Sequence, residues 1–267
     1  MSEGKKEILL GDCLELMKDI PNVSIDMILC DLPYGTTQLG WDCILDMFEL
    51  WNEYERIIKD NGAIVLFAGE PFTSKLIVGK IELFKYRLTW NKVKTSNHLN
   101  SRKQPLRCVE DICVFYKKQP TYNPQLRDRE KKNIRDPKKE YGKGNNQTYG
   151  KTKDNYLFNS GRDIPLEKGY PLDLIEFAQI GSFGNKRQHP TQKPTELCEY
   201  LIKTYSNEND IVLDNTAGSG TTAIACLNTN RQFIVMEKEQ KYYDIILKRV
   251  GDFNKKIEPQ TLFGNEM

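Results

Sequence analysis

Ile211-Val-Leu213, followed by Asp214-Asn-Thr-Ala-Gly218-Ser-Gly220-Thr-Thr222, is the stretch on which the fold turns. A short apolar run ends in an acid, passes through a glycine-rich turn and opens into an alanine-rich helical pattern over 221–227. Glycines let the backbone approach a ligand closely, and a helix N-terminus offers unpaired N–H groups to an anion. A glycine turn alone is weak, because many loops contain glycine. The next apolar run, 233–236, ends in a second acid, Glu237. A carboxylate there can accept hydrogen bonds from both hydroxyls of a ribose; capping the following helix is the alternative. Asp214, Asn215, Ala217, Gly218, Ser219, Gly220, Thr221 and Glu237 are therefore candidates for holding a nucleoside.

Outward from this stretch the same rhythm continues. Apolar runs at 8–10, 25–30, 63–67, 86–90, 111–116 and 210–213 read as strands, and 13–20, 48–59, 195–205 and 240–250 carry helical spacing. Asn61-Gly62 reads as a turn between helix and strand. Short continuous apolar strands separated by helices predict an α/β fold with a buried, mostly parallel sheet. Between its two halves, 117–167 is irregular and rich in Lys, Asn, Gly and Tyr. The whole chain of 267 residues carries only +2, from 39 basic and 37 acidic side chains, yet 117–153 holds 12 basic residues against 4 acidic. That local balance of +8 leaves −6 for the remainder. Such a segment is a functional insert or a solvated loop.

The seven cysteines, at 13, 30, 43, 108, 113, 198 and 226, show no two-residue spacing of a zinc knuckle or redox motif. Reduced thiols, with Cys30 and Cys226 as small core residues, are expected, and no metal site. The N-terminus lacks an apolar signal core, and no apolar stretch approaches the ~18 residues that span a bilayer. A cytoplasmic protein, with no membrane partner, follows as the expectation.

A second constellation, Asp31-Leu-Pro33-Tyr34, closes the run at 25–30. Ligands of open α/β sheets bind at that edge. An exocyclic base amine is a poor nucleophile because its lone pair is delocalised into the ring. Acceptors aimed at its two N–H protons release that lone pair towards an electrophile, and preorganised dipoles of this kind carry much of an enzyme's work. Asp31, the carbonyl of Leu32 and a stacking Tyr34 supply these parts. Alone, the tetrapeptide could equally be a turn.

With both constellations in view, the chain resembles the DNA amino-methyltransferases. Asp31-Leu-Pro-Tyr34 stands where that family has its catalytic Asp-Pro-Pro-Tyr, Asp214 to Thr222 resembles its S-adenosylmethionine loop, and His189-Pro-Thr-Gln-Lys193-Pro194 resembles the segment entering the helix before that loop. The order, catalytic motif then insert then cofactor motif, is the circularly permuted beta class. The resemblance covers roughly 7–116 and 186–250. It implies a Rossmann-like methyltransferase fold over 1–116 and 186–267, with 117–185 inserted as a target-recognition region. Asp31, Pro33 and Tyr34 become the catalytic set. Asp12, Asp31 and Lys193 join the glycine loop and Glu237 in holding S-adenosylmethionine, Lys193 near its carboxylate. Asp12 is as well read as the N-cap of the next helix. Phe67 and Pro71-Phe72 wall the site or are plain core. Leu32 replaces the first proline of the motif but keeps its carbonyl, and Asn215-Thr216 replaces the proline and bulky residue common there.

An acid opening the tetrapeptide resembles the adenine-specific members. The implied reaction is direct transfer to N6 of an adenine flipped from double-stranded DNA, site-specific and of the restriction-modification kind. Cytosine C5 chemistry needs a cysteine after a proline, and the chain has no Pro-Cys pair. Lys and Arg of the insert would meet phosphates, and Tyr122, Tyr141, Tyr149 and Tyr156 with Asn123, Asn145, Asn146 and Gln147 would read bases or fill the vacated space. Trp90, Lys92, Arg102 and Lys103 would join the DNA face. The resemblance also admits a homodimer and a cognate restriction endonuclease as partners. A cytosine-N4 methyltransferase, or a non-catalytic DNA-binding subunit on the same fold, are the competing readings. RNA or protein-glutamine methyltransferases usually place the cofactor loop first, the reverse of the order here. His189 reads as structural, and Pro259 to Phe263 as a packing tail or, more remotely, a sliding-clamp peptide.

Overall fold

In the computed structural model, residues 5–35, 45–96, 98–129, 165, 167–180, 189 and 192–257 are described. Alternation along the central strands sets the layers. In β2 (Ile25–Asp31), Ile28 and Cys30 enter one hydrophobic cluster, Met27 and Leu29 the other. In β3 (Ile58–Ala68), Ile64 and Leu66 oppose Val65 and Phe67 in the same way. Strands apolar on both faces must be covered twice. The helices α1 (Cys13–Met17), α2 (Met47–Ile57) and α3 (Phe72–Gly79) cover one face through Met17, Leu50, Tyr54, Phe72 and Leu76. On the other lie α4 (Thr195–Tyr205), α5 (Thr221–Asn228) and α6 (Gln240–Ile257), through Leu197, Leu201, Cys226 and Ile246.

The sheet runs β1 (Lys6–Leu10), β10 (Gln232–Glu237), β9 (Ile211–Asp214), β2, β3, β5 (Arg107–Phe115), β4 (Phe84–Ser96) and β8 (Leu174–Glu176). Strands from β1 to β3 are parallel; β5 is antiparallel to both its neighbours. From β9 the chain moves outward to β10, and from β2 it moves outward to β3 in the opposite direction. The gap between the carboxyl ends of β2 and β9 is thus a topological switch point, where α/β sheets open a crevice.

Four local expectations shift. The helix expected over 48–59 stops at Ile57, and the turn at Asn61-Gly62 lies inside β3, where the register slips between Ile25↔Ile58 and Met27↔Ala63. A Cβ on Gly62 would come 2.8 Å from the carbonyl oxygen of Asp26, so only glycine fits this irregularity. The first helix ends at Met17 instead of residue 20, with Lys18 capping it and 18–20 continuing as a turn before Pro21. Residues 174–176, assigned from sequence to the insert, pair with Thr89–Asn91 at the edge of the main sheet.

Residues 124–172 form a second compact unit. Within it β6 (Arg127–Asp128) pairs antiparallel with β7 (Lys168–Gly169), and Arg127 Nε donates to the Tyr170 carbonyl at 3.1 Å. Tyr141, Asn145, Asn146, Gln147, Tyr149 and Tyr156 lie outside the described residues, as does the tail at 259–263. Among the described residues, six cysteines are free thiols, no group of three metal-ligating side chains converges, and no helix is long and apolar enough to cross a membrane.

Candidate active site

The two motifs meet. Met27 and Ile28 of β2 pair with Val212 and Leu213 of β9, so Asp31 and Asp214 end neighbouring strands. Thr216 Oγ1 then donates to the Asp31 carbonyl at 3.0 Å, across 185 residues of chain. A cleft of about 370 Å³ opens there, within the ~300–1,000 Å³ of small-molecule sites. Asp12, Asp31, Pro33, Tyr34, Lys193, Asp214, Asn215, Ala217, Gly218, Ser219, Thr221 and Glu237 all line it, as does Phe67.

The glycine loop is held by its own acids. Asp214 is buried; its carboxylate accepts from Thr216 N at 3.1 Å and Thr222 Oγ1 at 2.6 Å, and burial pushes its pKa up to about 6. Gly218 has φ +54 and donates its N–H to Glu237 at 2.8 Å; the other Glu237 oxygen takes Glu239 N, also at 2.8 Å. Glu237 is thus fixed by two backbone amides, and burial raises its pKa. Gly220 does not line the cleft. Its φ is +75, it caps α5, and a Cβ there would stand 2.9 Å from Ile246, so its glycine serves packing. Asn215 accepts from Tyr54 Oη at 2.6 Å and from Cys30 Sγ at 2.7 Å, while its buried Nδ2 has no partner. Asp12 caps α1 by accepting from Leu14 N at 3.0 Å and also lines the cleft.

At the tetrapeptide, Asp31 Oδ1 accepts from the Tyr34 hydroxyl at 2.9 Å and Oδ2 from Lys193 Nζ at 2.7 Å. Burial raises the pKa of Asp31, Lys193 pulls it down, and the net shift is upward. Burial opposes the charge on Lys193, but two carboxylates overcome it and hold the ammonium above its usual range. The second carboxylate is Glu110, 2.8 Å from Lys193 Nζ and 3.3 Å from Tyr34 Oη. The Tyr34 ring stacks on Phe72, centroids 5.1 Å apart and planes at 23°. Phe72 therefore braces the Tyr34 ring, and Phe67 lies 5.0 Å beneath Lys193 Nζ.

No sequence motif marks Glu110. The one signal is the acid pair Glu110-Asp111 directly before the buried apolar run 112–115 of β5. Two other expectations change. Trp90 is fully buried and donates Nε1–H to the Phe177 carbonyl at 2.8 Å, and Lys92 is buried too, so neither is at a surface. Tyr122 packs against Tyr205 while staying half-exposed, and Asn123 Nδ2 donates to the carbonyls of Lys203 and Ser206, which docks Asn123 at the end of α4 rather than leaving it for bases. The His189 ring packs edge-on against Tyr242, 4.3 Å between centroids.

A doubly wound sheet carrying an acid–carbonyl–aromatic corner and an amide-fixed carboxylate in one switch-point cleft is a Rossmann-like methyltransferase fold. The DNA methylase family model matches residues 25–248, and the chain belongs to that family. It is 28% identical over 261 residues to Type II methyltransferase M.HpaI of Haemophilus parainfluenzae, covering 93% of this chain and 76% of that protein. It is 30% identical over 263 residues to DNA adenine methyltransferase YhdJ of Escherichia coli (strain K12), covering 92% and 82%. Among solved structures, the M1.HpyAVI-SAM complex is similar with a TM-score of 0.58 at 25% identity, covering 91% of this chain and 98% of that one.

Proposed function

We propose that the chain transfers a methyl group from S-adenosylmethionine to N6 of an adenine flipped out of duplex DNA at a specific site. The observation that carries this reading is the Thr216–Asp31 hydrogen bond, which ties the amine-handling corner to the glycine loop within one cleft. Asp31 and the Leu32 carbonyl would accept the two amine protons and localise the lone pair on nitrogen. Tyr34, braced by Phe72, would stack on the base.

The residues present fit the cofactor. Glu237 is already oriented by Gly218 and Glu239 and keeps lone pairs for a ribose diol. Gly218 leaves the loop without a side chain beside the cleft, and Asn215 Nδ2 is a buried donor in want of an acceptor. Asp12 and Lys193 complete the lining. When bound, the cofactor supplies an electrophilic methyl group. Adenine is favoured over cytosine by the acid that opens the tetrapeptide and by the relative named an adenine methyltransferase. The same reading takes in a homodimer and a cognate endonuclease, which sedimentation and co-purification test directly.

Incubating the protein with duplex DNA and methyl-labelled cofactor, then digesting to nucleosides, tests the proposal. N6-methyl-2′-deoxyadenosine is expected, and Asp31→Ala should slow its formation by about 10²–10³. Label in N4-methylcytosine would move the reading to that base. Undiminished transfer by Asp31→Ala would falsify the mechanism.

A further inference from the structure

Glu110 stands in the cleft with no part in the scheme above. Its carboxylate takes Lys193 Nζ at 2.8 Å and the Tyr34 hydroxyl at 3.3 Å, and its other oxygen lies 3.9 Å from Lys92 Nζ. Asp31 takes the same ammonium at 2.7 Å and the same hydroxyl at 2.9 Å. Two carboxylates therefore share one lysine and one phenol, and with Lys92 the four formal charges cancel. The side chains of Glu110, Lys193 and Lys92 are only 16%, 10% and 9% exposed, so water screens them little.

This sharing bears on what Asp31 can do. A carboxylate committed to a single ammonium is a poor acceptor for a neutral amine, because the cation draws electron density from the oxygens. An ammonium divided between two carboxylates pulls on each less. Removing either carboxylate hands the whole cation to the one that remains. The shared Tyr34 hydroxyl works similarly, since a second acceptor fixes the ring against Phe72 without leaving Asp31 as its only anchor.

We propose that Glu110 is a positioning residue for methyl transfer: it draws the Lys193 ammonium partly off Asp31 and helps orient Tyr34, so that Asp31 keeps accepting capacity for the base amine. The proposal rests on the reading of Asp31 as that acceptor. A merely structural Glu110 would neutralise two lysines, and its loss would lower stability without a rate effect that depends on Lys193.

A double-mutant cycle separates the two. Methylation rates are measured over a range of DNA concentrations up to saturation, at saturating cofactor, for wild type, Glu110→Gln, Lys193→Gln and the double variant, with urea midpoints for each. Glu110→Gln is expected to lower the rate about tenfold, with KM for DNA within about twofold, and to change it less than about twofold in the Lys193→Gln background. Its acid limb should also move to lower pH. Glu110 raises Asp31, and once it is gone Lys193 and Tyr34 still face that carboxylate, with Asp214 through space. If Glu110→Gln fails to fold, Glu110→Asp replaces it: one methylene shorter, it loses the Lys193 contact, and the same Lys193-dependent fall is expected. A wild-type rate in the Glu110 variant, or an equal fall with and without Lys193, overturns the proposal. Full activity in Asp31→Ala would instead bring down the underlying reading, whatever Glu110 does.

Discussion

Asp214→Asn should flatten the pH dependence of stability, and the size of the effect follows from where Asp214 sits. Its side chain is buried beneath the glycine loop, and burial lifts its pKa from the ordinary 3.8 to about 6 despite hydrogen bonds from Thr222 and Thr216. The fold thus favours the protonated form. Between the unfolded and folded values, the native state holds a proton that the unfolded chain has released. Stability from this group is therefore fully present below about pH 4 and is lost as pH rises through about 6. A shift of about two units corresponds to ~3 kcal/mol over the whole window, of which about 1 kcal/mol falls between pH 7 and pH 5. Asparagine cannot titrate, so wild type should gain about 1 kcal/mol relative to the variant on acidification from pH 7 to pH 5. That is roughly 2–4 °C in melting temperature for a chain of this size. The absolute stability of the variant is not diagnostic, because an amide offers one acceptor oxygen where the carboxylate offered two. Urea unfolding of both proteins at pH 5, 6 and 7 and constant ionic strength measures the difference in slope. Parallel pH profiles, or a wild type that weakens relative to the variant at pH 5, would show that burial does not govern this carboxylate.

Gly220→Ala places a methyl group 2.9 Å from Ile246 at φ +75; about 1–2 kcal/mol of backbone strain plus about 1–3 of overpacking should appear in urea midpoints. Glu237→Gln keeps the shape of the side chain but removes the charge that two backbone amides hold in place. Titration calorimetry should show cofactor affinity falling about 10–100-fold, the worth of hydrogen bonds to a charged group, and an unchanged Kd would remove Glu237 from the ribose site.

What could be read in the sequence was what ends a strand. Strands covered on both faces must be continuously apolar, so the runs at 25–30, 63–67, 211–213 and 233–236 were visible. The acids that stop three of them, Asp31, Asp214 and Glu237, marked the carboxyl edge where a ligand binds. Groups inside an element were not legible. Glu110 lies just ahead of the apolar run of β5, and only the pairing of β5 between β3 and β4 brings it to the cleft. Trp90 next to Asn91-Lys92 looked like part of a basic surface, yet the three residues of β8, too few to carry a pattern, pair along β4 and help bury it. Gly220 was read as a ligand contact with its neighbours, because sequence does not distinguish a glycine that admits a ligand from one that admits Ile246.

The permuted motif order has a physical explanation in these contacts. What the proposed chemistry requires is that Asp31 and the glycine loop end adjacent parallel strands, and that adjacency is set by Met27↔Val212, Ile28↔Leu213 and the Thr216–Asp31 bond. None of these depends on which strand comes first in the chain. Closing a connection of 185 residues costs entropy that grows only with the logarithm of its length, about 0.6 kcal/mol for each doubling. The Asn215 side-chain Oδ1 adds a further lock, since Tyr54 and Cys30 donate to it from elements 161 and 185 residues away. Breaking the Thr216 bond should therefore loosen the corner while the sheet stays paired. Keeping the strands paired but severing this one contact would separate the role of strand adjacency from that of the hydrogen bond.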